Sequence, residues 1–380
     1  MPQPTFEVTE PRIDAVSEYV TVTAGERPAV SGAGRSGTAA DASLRWLTSA
    51  AAVGVLGLLA SLLVVLFLAA LPAVREFGWG FVTGTEWRPN ALELPKKGAD
   101  GKVIIEDGEM VMETKPPVFG ALPVIYGTVV SSVIALVIAV PISFGAAIFL
   151  VRIAPRGLAQ PVSFMIEFLA AIPSIAYGIW GLFVVAPFLQ THLEPFLRST
   201  VGALPFMKWL FYETIVIAGK PVVREIPLVG RDMFCGGVVL AIMILPIITA
   251  ISRDVLRSVP RIQIEGTMAL GATWWQSSKA MLRYSRSALF GAVMLGLARA
   301  AGETMAITMV IGNNNQIKAS LFAPAQTMSS LLANEFREAS GIHLSALATV
   351  ALILLVMSLG FNMIARWLVV GKGSRGAAGH

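Results

Sequence analysis

Two stretches of this chain, residues 46–74 and 116–151, contain no charged side chain at all. A run of about 18 or more apolar residues is long enough to cross the hydrocarbon core of a bilayer. The pattern repeats at residues 160–189, 233–252, 287–312 and 345–370, where the only charges are Glu167, Arg299, Glu303 and Arg366. The sequence thus predicts six spans and an all-α polytopic membrane protein. Composition agrees: 55% of residues are hydrophobic and 14% charged, where a soluble domain carries about 25% charged residues. The mean hydropathy is +0.71.

Charge placement gives an orientation. Arg152 and Arg156 follow the second run. Arg253, Arg257, Arg261, Lys279, Arg283 and Arg286 lie between the fourth and fifth. Arg366, Lys372 and Arg375 end the sixth. Basic residues in short loops mark the cytoplasmic side, and all three groups share a side if both termini are cytoplasmic. This also accounts for the pI near 9.5 without a nucleic-acid partner. The expected domains are a disordered cytoplasmic tail at 1–45, a transmembrane permease domain at 46–370 and a second tail at 371–380. The tail at 1–45 lacks the basic start and short apolar core of a signal peptide. One cysteine, Cys235, excludes an intrachain disulfide.

The longer loops, 75–115 and 190–232, fall outside. In Lys102–Glu113, β-prone residues flank Asp107-Gly108, a two-residue hairpin signal, so a small extracytoplasmic β-hairpin is expected. Residues 200–219 are apolar but contain Lys208 and Glu213. A seventh span there would place the next basic loop outside, so an interfacial or re-entrant helix is expected. Prolines 141, 173, 187 and 246 lie within the runs, where bent, closely packed helices are tolerated.

Chemistry-bearing motifs are few. No phosphate cradle of the form G-x-x-x-x-G-K-[ST] is present, nor an H-E-x-x-H. The histidines, 192, 343 and 380, are scattered. The reading is a transport subunit, not an enzyme, with no cofactor or metal.

Four stretches carry a family resemblance. Glu265 followed by Ala269-Leu270-Gly271-Ala272-Thr273-Trp274 resembles the E-A-A-x-x-x-G cytoplasmic loop of bacterial ABC importer permeases. Tyr126-Gly127-Thr128 through Ser131-Ser132 and Pro141, Ile172-Pro173-Ser174-Ile175-Ala176-Tyr177-Gly178-Ile179-Trp180-Gly181, and Arg299-Ala300-Ala301-Gly302-Glu303-Thr304 narrow it. Over residues 45–370 the chain resembles the PstC family of phosphate-importer permeases, the Trp180-Gly181-Leu182-Phe183 continuation favouring it over the sister family PstA. The resemblance implies the type I ABC importer permease fold, in a bacterial inner membrane. It also implies a homologous permease similar to PstA, two copies of a cytoplasmic ATPase similar to PstB, and an extracytoplasmic phosphate-binding protein similar to PstS. Gly266 and Thr267 replace the motif's alanines, and its closing Leu-Pro is absent, so a more continuous helix is expected from residue 281 into the fifth run. The alternatives are the sister permease, a permease for another oxyanion such as sulfate or molybdate, and an ion-driven secondary transporter.

Within this reading, residues 253–286 form the loop that couples to the ATPase through Glu265, Ala269, Leu270 and Gly271. Glu265 is expected at the head of a short helix, where the dipole favours an acid. Its alternative partner is Arg261, four residues earlier. Arg299 lies 13 residues beyond Arg286, about 20 Å along a helix, deep in the membrane, where an ionisable group faces water or the bundle interior. Arg299 and Glu303, four residues apart, are expected on one helix face as a transport pathway or gate for an oxyanion, or else as a structural ion pair. Glu167, near a span end, is expected at an interface.

Overall fold

The computed structural model describes residues 37–95, 105, 106, 109, 110, 112–217 and 220–373. Most of the tail assigned to 1–45, and residues 374–380, lie outside this set. The described part divides into two units between Leu63 and Val64. In the first, residues 41–63 are helical and exposed. Helix α1 (Gly37–Phe77) contains them, so residues 37–45 are helical and not part of a coil.

Five helices are long and apolar enough to cross a membrane among the described residues: Asp41–Phe77, Leu122–Ile153, Ser174–Thr200, Met233–Arg257 and Gly341–Met363. After α1, six short strands follow: β1 (Trp87–Arg88), β2 (Leu92–Pro95), β3 (Ile105–Glu106), β4 (Glu109–Met110), β5 (Met112–Lys115) and β6 (Val118–Phe119). They pair antiparallel as β1–β6, β2–β5 and β3–β4. Glu106 lies opposite Glu109. The intervening Asp107-Gly108 lies outside the described residues.

The bundle is built on α2 (Leu122–Ile148) and α5 (Met233–Arg257), which pack along their length. Small residues permit this approach: Ala135, Ala139, Gly236, Gly237 and Ala241 are all buried. Ser143 donates to the Leu245 carbonyl at 3.1 Å, next to Pro246, which interrupts the α5 ladder. A second core joins the end of α1 to α10 (Met328–Glu335) and α11 (Gly341–Gly373) through Ala73, Phe81, Trp87, Phe119, Leu331 and Leu347.

The third run is placed differently from the sequence reading. Residues 160–189 are not one helix. The chain forms α3 (Arg156–Ala170), turns, and restarts as α4 (Ser174–Thr200). Pro173 is the N-cap of α4 with extended ψ of 137°, and lacking an N–H and disfavouring helical backbone just before it, it stops α3 from running on. Glu167 therefore belongs to α3. It bonds Arg253 at 2.8 Å, and Arg253 also holds Asp254 at 2.7 Å. Widened turns at Gly181–Val185 and Leu189–Leu193 carry α4 eleven residues past the expected end.

Residues 200–219 do not form an interfacial or re-entrant helix. A short 3-10 turn, Pro205–Leu210, leads into β7 (Tyr212–Ile217), which pairs antiparallel with β8 (Lys220–Glu225), from Tyr212 opposite Glu225 to Ile217 opposite Lys220. β-branched residues on both arms, Thr214 to Ile217 and Val222-Val223, favour this ladder.

The fifth run is broken. Helix α8 (Arg286–Gly302) has 17 residues, short of the roughly 20 that a helical crossing needs. The backbone extends at Glu303 (φ −69°, ψ 130°) and resumes as α9 (Met305–Val310). An irregular segment then runs to α10.

Candidate translocation and docking sites

Most of the motif stretches converge on the break and on the irregular segment 311–327. The hydroxyl of Tyr126 donates to the Lys318 carbonyl at 3.1 Å. A Cβ at Gly127 would collide with the Gln326 carbonyl, so only glycine lets α2 approach that backbone. Thr128 Oγ1 accepts from Met328 N at 2.9 Å, capping α10 from another helix. Gly178 of α4 faces α9, where a Cβ would lie 2.9 Å from Ala306 Cα.

Glu303 ends α8 and serves α9. Its Oε1 accepts from Ala306 N at 3.3 Å, and its carbonyl accepts from Ser329 Oγ at 2.6 Å. A carboxylate on the leading amides of a helix satisfies a donor that has no intrahelical partner. Glu303 is 8% exposed. Arg299, in the last turn of α8, is exposed and makes no ion pair or hydrogen bond among the described residues. The expected shared helix face of Arg299 and Glu303 is therefore absent. Glu303 lies beyond the helix end, and extended backbone turns it toward α9 and α10. Ser329 was missed by the sequence reading, and Thr128 was singled out there without a role. The Thr327–Ser330 capping box was the available signal for where α10 begins.

At the other end of α2, about 30 Å away by helix rise, two short helices form a hairpin. These are α6 (Arg261–Ala269) and α7 (Trp274–Tyr284). Gly271 turns the chain with φ of +81°, in the left-handed region that favours glycine. Thr273 then caps α7 in a reciprocal box with Gln276. Thr267 Oγ1 bonds Ser277 Oγ at 3.2 Å across the hairpin. Ile264 and Met281 seat the pair on Ala147, Ile148, Leu256 and Leu289. The Arg152 guanidinium lies 5.7 Å over the Trp274 ring.

Within this hairpin Glu265 is the fifth residue of α6, not its head. The N-terminal dipole argument does not apply to it. Glu265 is exposed and forms no ion pair with Arg261 or any other described residue. Ala269 and Gly271 are exposed beside it, and Leu270, at the tip, is 90% exposed. Ile262 and Trp275 add apolar surface, at 74% and 61%. A large apolar tip on a rigid, capped hairpin fits a protein partner better than it fits water. Helices α7 and α8 are separate, meeting at Ser285 (φ −90°, ψ 5°), although Leu289 N still donates to the Ser285 carbonyl at 3.0 Å.

Comparison with known proteins places this arrangement. The chain is 41% identical over 340 residues to the phosphate transport system permease protein PstC of Mesorhizobium japonicum, covering 89% of this chain and 92% of that protein. It is 41% identical over 313 residues to the protein of the same name in Haemophilus influenzae, covering 82% and 87%. Phosphate transport system permease protein PstC 1 of Mycobacterium tuberculosis is 37% identical over 342 residues, covering 88% and 94%. Residues 139–370, which hold α3 to α10 with Arg299, Glu303 and the α6–α7 hairpin, match the model of one family. The chain belongs to the binding-protein-dependent transport system inner membrane components.

Proposed function

We propose that this chain is a permease subunit of an ATP-driven importer of inorganic phosphate, forming half of the translocation pathway and coupling to a separate ATPase. The observation that carries the reading is Arg299, a cation at the end of a broken membrane helix with no counter-ion among the described residues. Non-helical backbone at membrane depth is tolerated where it is buried or lines water. Burial of Glu303, bound to α9 and α10, meets the first condition. An unpaired arginine meets the second, because its planar fork of donors matches an oxyanion. The relatives, named as phosphate transport permeases, supply phosphate as the oxyanion. The assembly is this chain with a PstA-like permease, two PstB-like ATPases and a PstS-like binding protein. The test is uptake of labelled phosphate into vesicles holding all of these. Excess unlabelled phosphate is expected to abolish uptake, while sulfate and molybdate leave it unchanged. Competition by sulfate equal to that by phosphate would refute the substrate.

The proposed topology has six crossings, with α8 and α9 together making the fifth, in a bacterial cytoplasmic membrane and with both termini inside. Its support is the basic set Arg152, Arg257, Arg261, Lys279 and Arg283, gathered at the α6–α7 end. The paired strands β3 and β4 then lie outside. Single cysteines at Gly108 and Thr273, in a Cys235→Ser background, are expected to react differently with an impermeant thiol reagent in intact cells. Gly108→Cys is labelled and Thr273→Cys is not. The reverse pattern would invert the topology.

A further inference from the structure

Gln190, Glu194 and Arg198 stand at four-residue steps along the end of α4, and thus on one helix face. All three hold the connection between β8 and α5. Gln190 Nε2 donates to the Leu228 carbonyl at 3.1 Å. Arg198 Nη2 donates to the Ile226 carbonyl at 2.7 Å, and its Nη1 reaches Glu225 at 3.2 Å. Between them the carboxyls of Glu194 and Asp232 lie side by side, close enough that each perturbs the other. The connection lies close on the helix, because Gly230, with φ of +70°, leaves no room for a Cβ against the Ala186 carbonyl.

Both carboxyls are 0% exposed. Asp232 Oδ1 accepts from Cys235 N at 2.8 Å, capping α5. Its Oδ2 and both oxygens of Glu194 receive no hydrogen bond from any described residue. Ionised carboxylates only accept, so two of them in contact away from water repel. The one donor that fits the geometry is a proton on one of the two. The other titratable groups nearby do not replace it. Arg198 spends both Nη atoms on Ile226 and Glu225, and its buried Nε bonds neither carboxyl, so its charge eases the repulsion without supplying the missing donor. The Cys235 thiol is buried on α5, and Arg231 is exposed. Lys318, on the segment packed against the start of α5, is paired with Glu213 at 2.9 Å.

We propose that Glu194 and Asp232 form a proton-binding site, sharing one proton that clasps residues 226–232 to α4 and fixes the start of α5. The proton comes from water and returns to water. Bound, it makes an O–H donor on one carboxyl to an acceptor on the other. Released, it leaves two negative charges in contact, and the clasp opens. The consequence reaches further, because Met233 N and Phe234 N donate to the Ala323 and Leu321 carbonyls at 3.2 and 2.9 Å, tying the segment 311–327 to the same helix start. Burial pushes the Asp232 carboxyl above the ordinary carboxylate range. The folded chain then keeps a proton that the unfolded chain has released. The associated stability is present at low pH and is lost as pH rises through the folded value.

The test uses the purified full chain in lipid nanodiscs and needs no transport assay, so it stands apart from the proposed substrate. Infrared difference spectra at neutral pH are expected to show a protonated carboxyl that disappears in both Glu194→Gln and Asp232→Asn. Amide exchange of residues 226–235 is expected to accelerate between about pH 6 and about pH 9 by at least about tenfold beyond the chemical rate. In Glu194→Gln that acceleration is absent, because the amide donates to Asp232 at every pH. Should Asp232→Asn weaken the α5 cap, Glu194→Gln alone decides. The same carboxyl absorption in wild type and variant, or the same exchange profile, would overturn the proposal.

Discussion

Arg299→Leu is expected to lower phosphate uptake about 100-fold while the chain still inserts and copurifies with its partner subunits. The magnitude follows from losing two charge-assisted hydrogen bonds to an oxyanion, about 3 kcal/mol together. Assembly is expected to survive because Arg299 holds no other described residue, whereas removing one member of a buried pair strands the other. Arg299→Lys keeps the charge but loses the planar fork, so an intermediate loss of about tenfold is expected. The double variant Arg299→Leu with Glu303→Gln separates the pathway from the structural pair. Glu303 serves Ala306 N and Ser329, and glutamine keeps an acceptor there. The double variant is therefore expected to transport no better than Arg299→Leu alone. Recovery of near-normal uptake would establish a structural pair and end the pathway role.

Most crossings were legible in the sequence because one physical quantity, uninterrupted apolar length, dictates them. The breaks were not, because partners far along the chain decide them. Residues 287–312 contain no proline, and their alanines suit a continuous helix, although Gly302 stands just before the break. The interruption at Glu303 depends on Ser329 and on the amide of Ala306, contacts invisible at four-residue spacing. The start of α4 was different. Pro173-Ser174 is a helix-start signal, and it was outweighed by the hydropathy of a run that continues across it. The β7–β8 ladder was similarly overlooked, since apolar β-branched residues and a membrane-interface helix have much the same composition. In the sites, Arg299 stood out because a deep charge is costly, and its isolation required coordinates. The resemblance picked out Tyr126, Gly127 and Thr128 without giving them a task. The structure gives them one shared task, which is to bind the backbone and cap of the segment 311–327.

The α6–α7 hairpin carries the second large effect. Leu270→Asp is expected to weaken copurification of the ATPase at least about 30-fold, as loss of a central apolar anchor costs about 2 kcal/mol or more. A side chain that is 90% exposed contributes almost nothing to the fold of its own chain, so insertion and stability are expected to match wild type. Gly271→Arg acts differently. At φ of +81° any L-residue is strained by about 1 kcal/mol, which tilts the tip while the Thr273–Gln276 cap holds α7. Glu265→Lys is expected to be the mildest of the three, because Glu265 is solvated and unpaired in mid-helix and offers a partner only a rim charge. The ranking is itself diagnostic. A hairpin that docks through its apolar tip gives Leu270→Asp the largest loss and Glu265→Lys the smallest. A purely electrostatic contact reverses that order and makes the loss salt-dependent. Copurification at two ionic strengths, read beside phosphate-stimulated ATP hydrolysis by the assembled importer, distinguishes the two. Unchanged copurification and unchanged uptake in all three variants would remove the hairpin from the docking surface.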